Sequence, residues 1–314
     1  MAALLLLSIH GVVMAPHHEG EPTRAQLERM VDEVREIGAT HLQVVVQWGQ
    51  PDVTSVQIQP YQWGTDDAQV REVSRYARKR GLKVLIFPIL RVKTLGPGRW
   101  RGTLRPSGRA AWWLAYRRFI LHYAALAEDV GAELFSVGSE LSSMERDEQR
   151  WRALVADVRA RYGGSLVYSA NWDHFPQIRF WDALDYVGLN AYHPITDRDD
   201  ASLVELSAAW RMIRDKLLVW LAFVDRPLLF TEVGYPSIDG GARRPYHHGS
   251  TGPVDLEEQR RAYVAFCDAW REQPGVAGAF FWIWSGEGGP TDNRYTPRGK
   301  PAEQALRVCF QRPA

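Results

Sequence analysis

Apolar residues in this chain fall into two alternating rhythms. Short continuous runs, at residues 9–15, 41–48 (HLQVVVQW), 82–90 and the run ending at Glu140, have the length of strands buried on both faces. Between them lie segments with helical spacing. Residues 23–37 carry Leu27, Met30, Val31, Val34 and Ile37 on one face, with Gly38 placed as a C-cap. Residues 66–80 precede Gly81, and residues 110–130 carry Trp112, Trp113, Tyr116, Phe119, Ile120 and Tyr123. The rhythm continues with a helix at 147–162, a strand at 166–171, a short turn around Phe180 and Trp181, and a strand at 186–192. A helix at 203–224, a strand at 227–232, a helix at 256–272, a strand at 276–284 and a closing helix at 301–310 complete it. Eight strand-then-helix steps without a linker predict an α/β chain folded as one (β/α)8 TIM barrel, a single domain over residues 1–314. A doubly wound open sheet is the alternative, but no glycine-rich phosphate turn follows the first strand.

Composition narrows the partners. With 314 residues and 46% apolar content the chain can bury one large core. Its 38 basic and 37 acidic residues leave a net charge of +1 with no long run of one sign, so nucleic acid and anionic membrane surfaces are not expected partners. Thirteen tryptophans are more than such a core needs, and indole faces stack on sugar rings, although most are expected in the core. No run reaches the roughly 18 apolar residues of a membrane span. The start, MAALLLLSIHGVVM, has no basic residue ahead of its apolar stretch and reads as a first strand rather than a signal peptide. A soluble monomer acting on a polysaccharide or oligosaccharide is expected, its compartment left open. Cys267 and Cys309 sit on the last two predicted helices amid apolar neighbours and read as buried free thiols, with a disulfide as the alternative because those helices are neighbours in a barrel, though sequence does not supply the distance.

Two motifs carry chemistry. SVGSEL ends a strand at Glu140, and LLFTEVGYPS ends one at Glu232. The carboxyl ends of barrel strands are where the loops converge and where catalytic groups stand. Two carboxylates there suit glycosidic-bond cleavage, one protonated as acid and one ionised. Three other glutamates compete: Glu133 starts its strand on the opposite, stabilising face, Glu145 lies in a loop leading into a charged helix, and Glu287 sits in the SGEGGPTDN loop. The pairs His17-His18 and His247-His248 lack further ligands at suitable spacing, and Gly138-Ser139-Glu140 lacks the second glycine of a nucleophile elbow. Neither a metal nor a cofactor is expected.

The stretches GRWRGTLRPSGRAAWWLAYRRFILHYA, VGSEL, SANWD, FWDALDYVGLNAYHP, PLLFTEVGYPS, FFWIWS and YTPRGKPAE run in order over most of residues 80–305. In them the chain resembles glycoside hydrolase family 113, the β-mannanase family of clan A. The resemblance implies an endo-β-1,4-mannanase with a retaining double displacement, Glu140 as acid/base and Glu232 as nucleophile. It also implies Tyr192 as a hydrogen-bond donor to the nucleophile, and Asn171, Trp172 and Trp284 as linings of the sugar subsites, with Trp284 the platform under the sugar being cleaved. Trp282 shares the strand parity of Trp284, and Trp48 is a weaker candidate at the end of the second strand.

Three departures accompany the likeness. Ser139 stands where the clan usually places an asparagine that contacts the sugar 2-hydroxyl. Phe87 and Ile89 are apolar where the family tends to place lysine and histidine, with Arg91 left to restore a polar contact. The loop at 239–253 is basic and glycine-rich. These departures keep open a hydrolase of xylan, glucan or bacterial exopolysaccharide, or a non-catalytic carbohydrate-binding barrel.

Overall fold

The computed structural model describes residues 9–16, 22–60, 64, 66–247, 249 and 252–311. Eight parallel strands follow one another: β1 (Ile9–Met14), β2 (His41–Gln50), β3 (Lys83–Val92), β4 (Leu134–Ser139), β5 (Ser165–Asn171), β6 (Tyr186–Asn190), β7 (Leu228–Val233) and β8 (Val276–Phe281). Each pairs with the next, and β1 pairs with both β2 and β8, so the sheet closes and no barrel strand is left as an edge. A two-residue antiparallel strand, Gln59–Pro60, adds itself beside Trp48 and Gly49 of β2.

The helices are α1 (Arg24–Glu36), α2 (Asp67–Lys79), α3 (Arg109–Val130), α4 (Glu148–Arg159), α5 (Leu203–Leu221), α6 (Leu256–Trp270) and α7 (Pro301–Phe310). Their starts follow from side chains that accept the free N–H groups of the first turn. Thr23 and Gln26 form a capping box on α1, Ser202 and Glu205 form one on α5, and Asp66 caps α2. The crossover from β5 to β6 has two 3-10 turns, Phe175–Gln177 and Trp181–Ala183, in place of a helix. Two arginines tie it down. Arg152 of α4 holds both carboxylate oxygens of Asp182 at 2.8 and 2.9 Å, and Arg226 donates to the Asp182 and Leu184 carbonyls, each at 2.8 Å.

Alternation along the strands sorts the core into two shells. Val13, Val45, Leu85, Phe87, Val167, Leu229 and Phe280 fill the barrel interior. Gly11 has no side chain because a Cβ there would overlap the Phe280 ring. The larger shell lies between sheet and helices and holds most of the big aromatics, with Trp112 stacked on Tyr116 at 4.9 Å and Trp151 on Phe180 at 5.1 Å. Trp48 belongs to this outer shell.

The (β/α)8 barrel read from the sequence is the fold observed. Its reading of Cys267 and Cys309 as free thiols is corrected: they form a disulfide, with Cα atoms 5.8 Å apart and S–S 2.05 Å. Sequence shows each thiol's neighbours but not the packing of α6 on α7, which brings the pair within bridging distance. The predicted first strand begins at Ile9; residues 1–8, His17, His18 and His248 lie outside the described residues. Among the described residues no helix is long and apolar enough to cross a membrane.

Candidate active site

The ends of β4 and β7 depart from regular ladders, and this aims the two glutamates. The β4–β5 register shifts between Ser136 and Ser139, and Glu140, the next residue, has φ +53, a left-handed conformation that side chains rarely adopt. Its N–H still bonds the Ser169 carbonyl at 2.8 Å. Gly138 lets this end of β4 press against the helix layer, since a Cβ there would overlap the Tyr116 hydroxyl and crowd Trp151 and Tyr168. Glu232 lies within β7 opposite Asn190 of β6, just past another register shift. Such irregularities commonly redirect side chains beside active sites.

Both carboxyls are buried, Glu140 at 7% and Glu232 at 2% exposure. On Glu140, Oε2 accepts from Arg101 Nη2 at 2.6 Å and Oε1 accepts from Asn190 Nδ2 at 2.9 Å. On Glu232, Oε2 accepts from the Tyr192 hydroxyl at 2.7 Å, whereas Oε1 has no hydrogen-bond partner among the described residues. Burial, and then the Glu140 charge, push the Glu232 carboxyl above its ordinary range, while Arg101, Tyr192 and Asn190 pull it back. Two carboxylates under one such field do not readily ionise together, which suits a pair of which one must carry a proton.

The Asn190 amide is oriented from behind. Its Oδ1 accepts from the Ser169 hydroxyl at 2.6 Å and the Thr231 hydroxyl at 3.0 Å, so its Nδ2 faces Glu140 and Ser139. A second buried chain supports the peptide after Glu140. The Leu141 N–H donates to the Tyr168 oxygen at 2.9 Å, and the Tyr168 hydroxyl donates to Glu145 Oε1 at 2.8 Å. Burial drives the Glu145 carboxyl up to about 7, against the pull of Tyr168. Glu145 does lie in the loop that leads into the charged helix α4, yet it is only 3% exposed, its carboxyl held under the Tyr168 hydroxyl. Glu133 does lie at the start of β4, accepting from Val84 N–H at 2.8 Å, and Glu287 is exposed.

The predicted sugar contacts divide. Trp172 is half-buried against the interior cluster, 5.3 Å from His193 and 6.3 Å from Tyr246 by ring centres. Asn171 is half-buried and donates to Asp173 at 2.8 Å, and Ser139 is buried with its hydroxyl 3.4 Å from Asn190 Nδ2. Trp284 is a correction. It is 1% exposed, packs in the outer shell, and donates from Nε1 to Glu33 Oε2 of α1 at 2.9 Å. β8 is regular only to Phe281, and although the Trp282 N–H still bonds the Val233 carbonyl and the Trp284 N–H the Val13 carbonyl, each at 2.8 Å, the side-chain alternation does not carry to position 284. Trp282, across a cis peptide from Ile283, is the indole that packs against the interior cluster with Tyr192. Trp48 is also corrected, for it packs outward on Phe119 at 5.4 Å beneath Arg118. Arg91 stays exposed at the end of β3, and the guanidinium that reaches the pair is that of Arg101, ten residues on.

Sequence reasoning assigned no role to Arg101 or Asn190. Arg101 sits in the GRWRG stretch quoted for the resemblance, but a loop arginine cannot be aimed from sequence. Asn190 left a signal, a lone amide near the end of an otherwise apolar strand. Among the described residues, one trio has metal-ligand proximity, Asp239, Asp255 and Glu258. Asp255 already caps α6, and Glu258 accepts from the Gly240 and Ala242 N–H groups.

No curated protein matches the chain. Among solved structures it is similar to a family 113 β-1,4-mannanase complex at 25% identity, over 97% of this chain and 99% of that one, with a TM-score of 0.83. It is also similar to the β-mannanase AaManA from Alicyclobacillus acidocaldarius in complex with ManMIm, at 27% identity over 96% of each chain and a TM-score of 0.85. A family 5 glycoside hydrolase from Streptomyces cattleya, in complex with Manβ1-4GlcNAc, shares the fold at 16% identity, over 96% of this chain and 80% of that one, with a TM-score of 0.67. The model of Glycoside Hydrolase Family 113 matches residues 13–299. With that match over nearly all of the barrel, the chain belongs to family 113 and is a glycoside hydrolase.

Proposed function

We propose that the protein is a retaining β-1,4-mannanase in which Glu232 is the nucleophile and Glu140 the acid/base. The observation that carries this reading is the difference between the two carboxyls. Glu232 has one oxygen held by Tyr192 and one that accepts no hydrogen bond among the described residues, whereas Glu140 has both oxygens engaged by groups that fix its plane. In the first step Glu232 Oε1 bonds to the anomeric carbon as the glycosidic C–O bond breaks, and Glu140 gives its proton to the leaving oxygen. In the second step Glu140, now a carboxylate, takes a proton from water. That water attacks the anomeric carbon and releases Glu232, with the original anomeric configuration restored. The Tyr192 hydroxyl favours ionised Glu232, and Trp282 and Trp172 offer faces for sugar rings. Mannan as substrate is supported by the two family 113 mannanases.

One observation favours a different sugar within the same chemistry. Phe87 and Ile89 are buried in the interior cluster, so the floor below the exit of β3 is apolar where a mannanase of this family tends to be polar.

The test incubates the protein and a Glu232→Ala variant with β-mannan, glucomannan, xylan and β-glucan, follows new reducing ends, and reads the anomer of the first product by proton NMR. Mannan cleavage that gives the β anomer and is absent in the variant is expected. An initial α product would overturn the double displacement, and cleavage confined to another glycan would overturn mannan.

A further inference from the structure

We propose that a hollow walled by Arg99, Arg105 and Arg109, beside the acid/base, is a subsite for a carboxylate-bearing sugar, so that the enzyme acts on an acidic or uronate-decorated β-linked glycan. The inference rests on the glycoside hydrolase reading of the neighbouring carboxylates.

The hollow encloses about 530 Å³, within the range of small-ligand pockets. Gly102, Thr103, Leu104, Pro106 and Ser143 complete its wall. Its position relative to the chemistry follows from the chain. Gly102 and Thr103 belong to the same 3-10 turn, Arg101–Thr103, that delivers Arg101 to Glu140. Ser143, three residues past Glu140, donates its N–H to the Gly102 carbonyl at 3.0 Å. The hollow therefore begins one residue from the arginine of the site, and units of a glycan adjoining the one at Glu140 lie within its reach.

Its charge is unbalanced. Arg109 meets Asp147 at 2.6 Å, but the side chains of Arg99 and Arg105 have no carboxylate partner among the described residues. Nor does the loop need these two guanidiniums for its shape, which main-chain bonds set: Arg99 N–H to the Gly96 carbonyl at 3.0 Å, Arg105 N–H to Val53 and Ser107 N–H to Thr54, each at 2.8 Å. The Ser143 hydroxyl is buried and has no hydrogen-bond partner among the described residues. With Arg109 compensated by Asp147, the Arg99 and Arg105 guanidiniums leave the hollow positive in a chain whose net charge is only +1, and an anion between them relieves that imbalance. The planar fork of a guanidinium matches a carboxylate with two parallel hydrogen bonds, and a neutral mannose unit offers no such acceptor.

Binding is measured by calorimetry in the Glu232→Gln variant, which separates recognition from turnover. The probes are oligosaccharides from a glucuronic-acid-bearing mannan and the same oligosaccharides after carboxyl reduction. The acidic form is expected to bind about tenfold tighter, as charge-assisted hydrogen bonds imply. That preference is expected to shrink with added salt, to vanish on adding Arg99→Gln and Arg105→Gln, and to survive Arg35→Gln on the exposed face of α1. Equal binding of the two forms, or a preference that persists without Arg99 and Arg105, would overturn the proposal. So would displacement of the acidic probe by inorganic phosphate where free glucuronate has no effect, since the hollow would then be a phosphate site. Absence of hydrolysis on every glycan would sink the mannanase reading and leave this binding test intact. Mannan hydrolysis without any carboxylate preference would do the reverse.

Discussion

The Asn190 amide cannot turn over without loss, because its oxygen receives two buried hydroxyls and its nitrogen donates to Glu140. Asn190→Ala removes the acceptor shared by the Ser169 and Thr231 hydroxyls, which keep their bond to each other, and frees the acid/base. It is expected to cost about 1–3 kcal/mol in denaturant unfolding and to lower kcat/KM by roughly 10–100-fold. Arg101 acts through charge. It holds the Glu232 carboxyl down, so Arg101→Gln is expected to move the acidic limb of the kcat/KM profile, which reports ionisation of the nucleophile, to higher pH by about one unit. A limb that stays in place would remove Arg101 from the electrostatics of the pair. The two indoles after β8 should separate cleanly. Trp282→Ala is expected to raise KM, whereas Trp284→Phe removes the bond to Glu33 and is expected to lower stability by about 1 kcal/mol with KM unmoved.

The loop after β4 is where the sequence was least legible. Strand exits could be read because buried parallel strands are continuous apolar runs, and Glu140 and Glu232 each close one. What could not be read was the path beyond the ladder. The left-handed turn at Glu140, the fold-back that buries Glu145 and the delivery of Arg101 depend on contacts distant in sequence. The misplacement of Trp284 has the same cause, since alternation predicts a face only while a strand stays regular, and β8 is regular only to Phe281. The buried Glu145 makes this loop pH-sensitive in a defined direction. Its folded-state value, about 7, is above the ordinary 4.5, so the stability tied to its protonated form is present below about pH 4.5 and lost as pH rises through 7. Glu145→Gln, neutral throughout, is expected to show a shallower fall of unfolding midpoint over that interval; Glu258, also raised to about 7, keeps part of the slope.

The barrel closes where β8 meets β1, and α7 lies over that seam with Phe310 stacked on His10 at 5.2 Å and edge-on to Phe281 at 5.7 Å. The Cys267–Cys309 bond ties α7 to α6 and closes a loop of 42 residues in the chain. Reduction, or Cys309→Ser, is expected to lower stability by about 2–4 kcal/mol, read as a drop of several degrees in Tm that is absent from the Ser variant when reductant is added. The division of the core into two shells also decides what light can report. Trp112, Trp151, Trp210, Trp270 and Trp284 are fully enclosed between sheet and helices, while Trp172 and Trp282 border the interior cluster beneath the cleft. Tryptophan emission is therefore dominated by indoles that no sugar meets. A glycan filling the cleft perturbs a small part of that signal and unfolding perturbs most of it, which makes intrinsic fluorescence a sensitive gauge of this protein's integrity and a poor gauge of its occupancy.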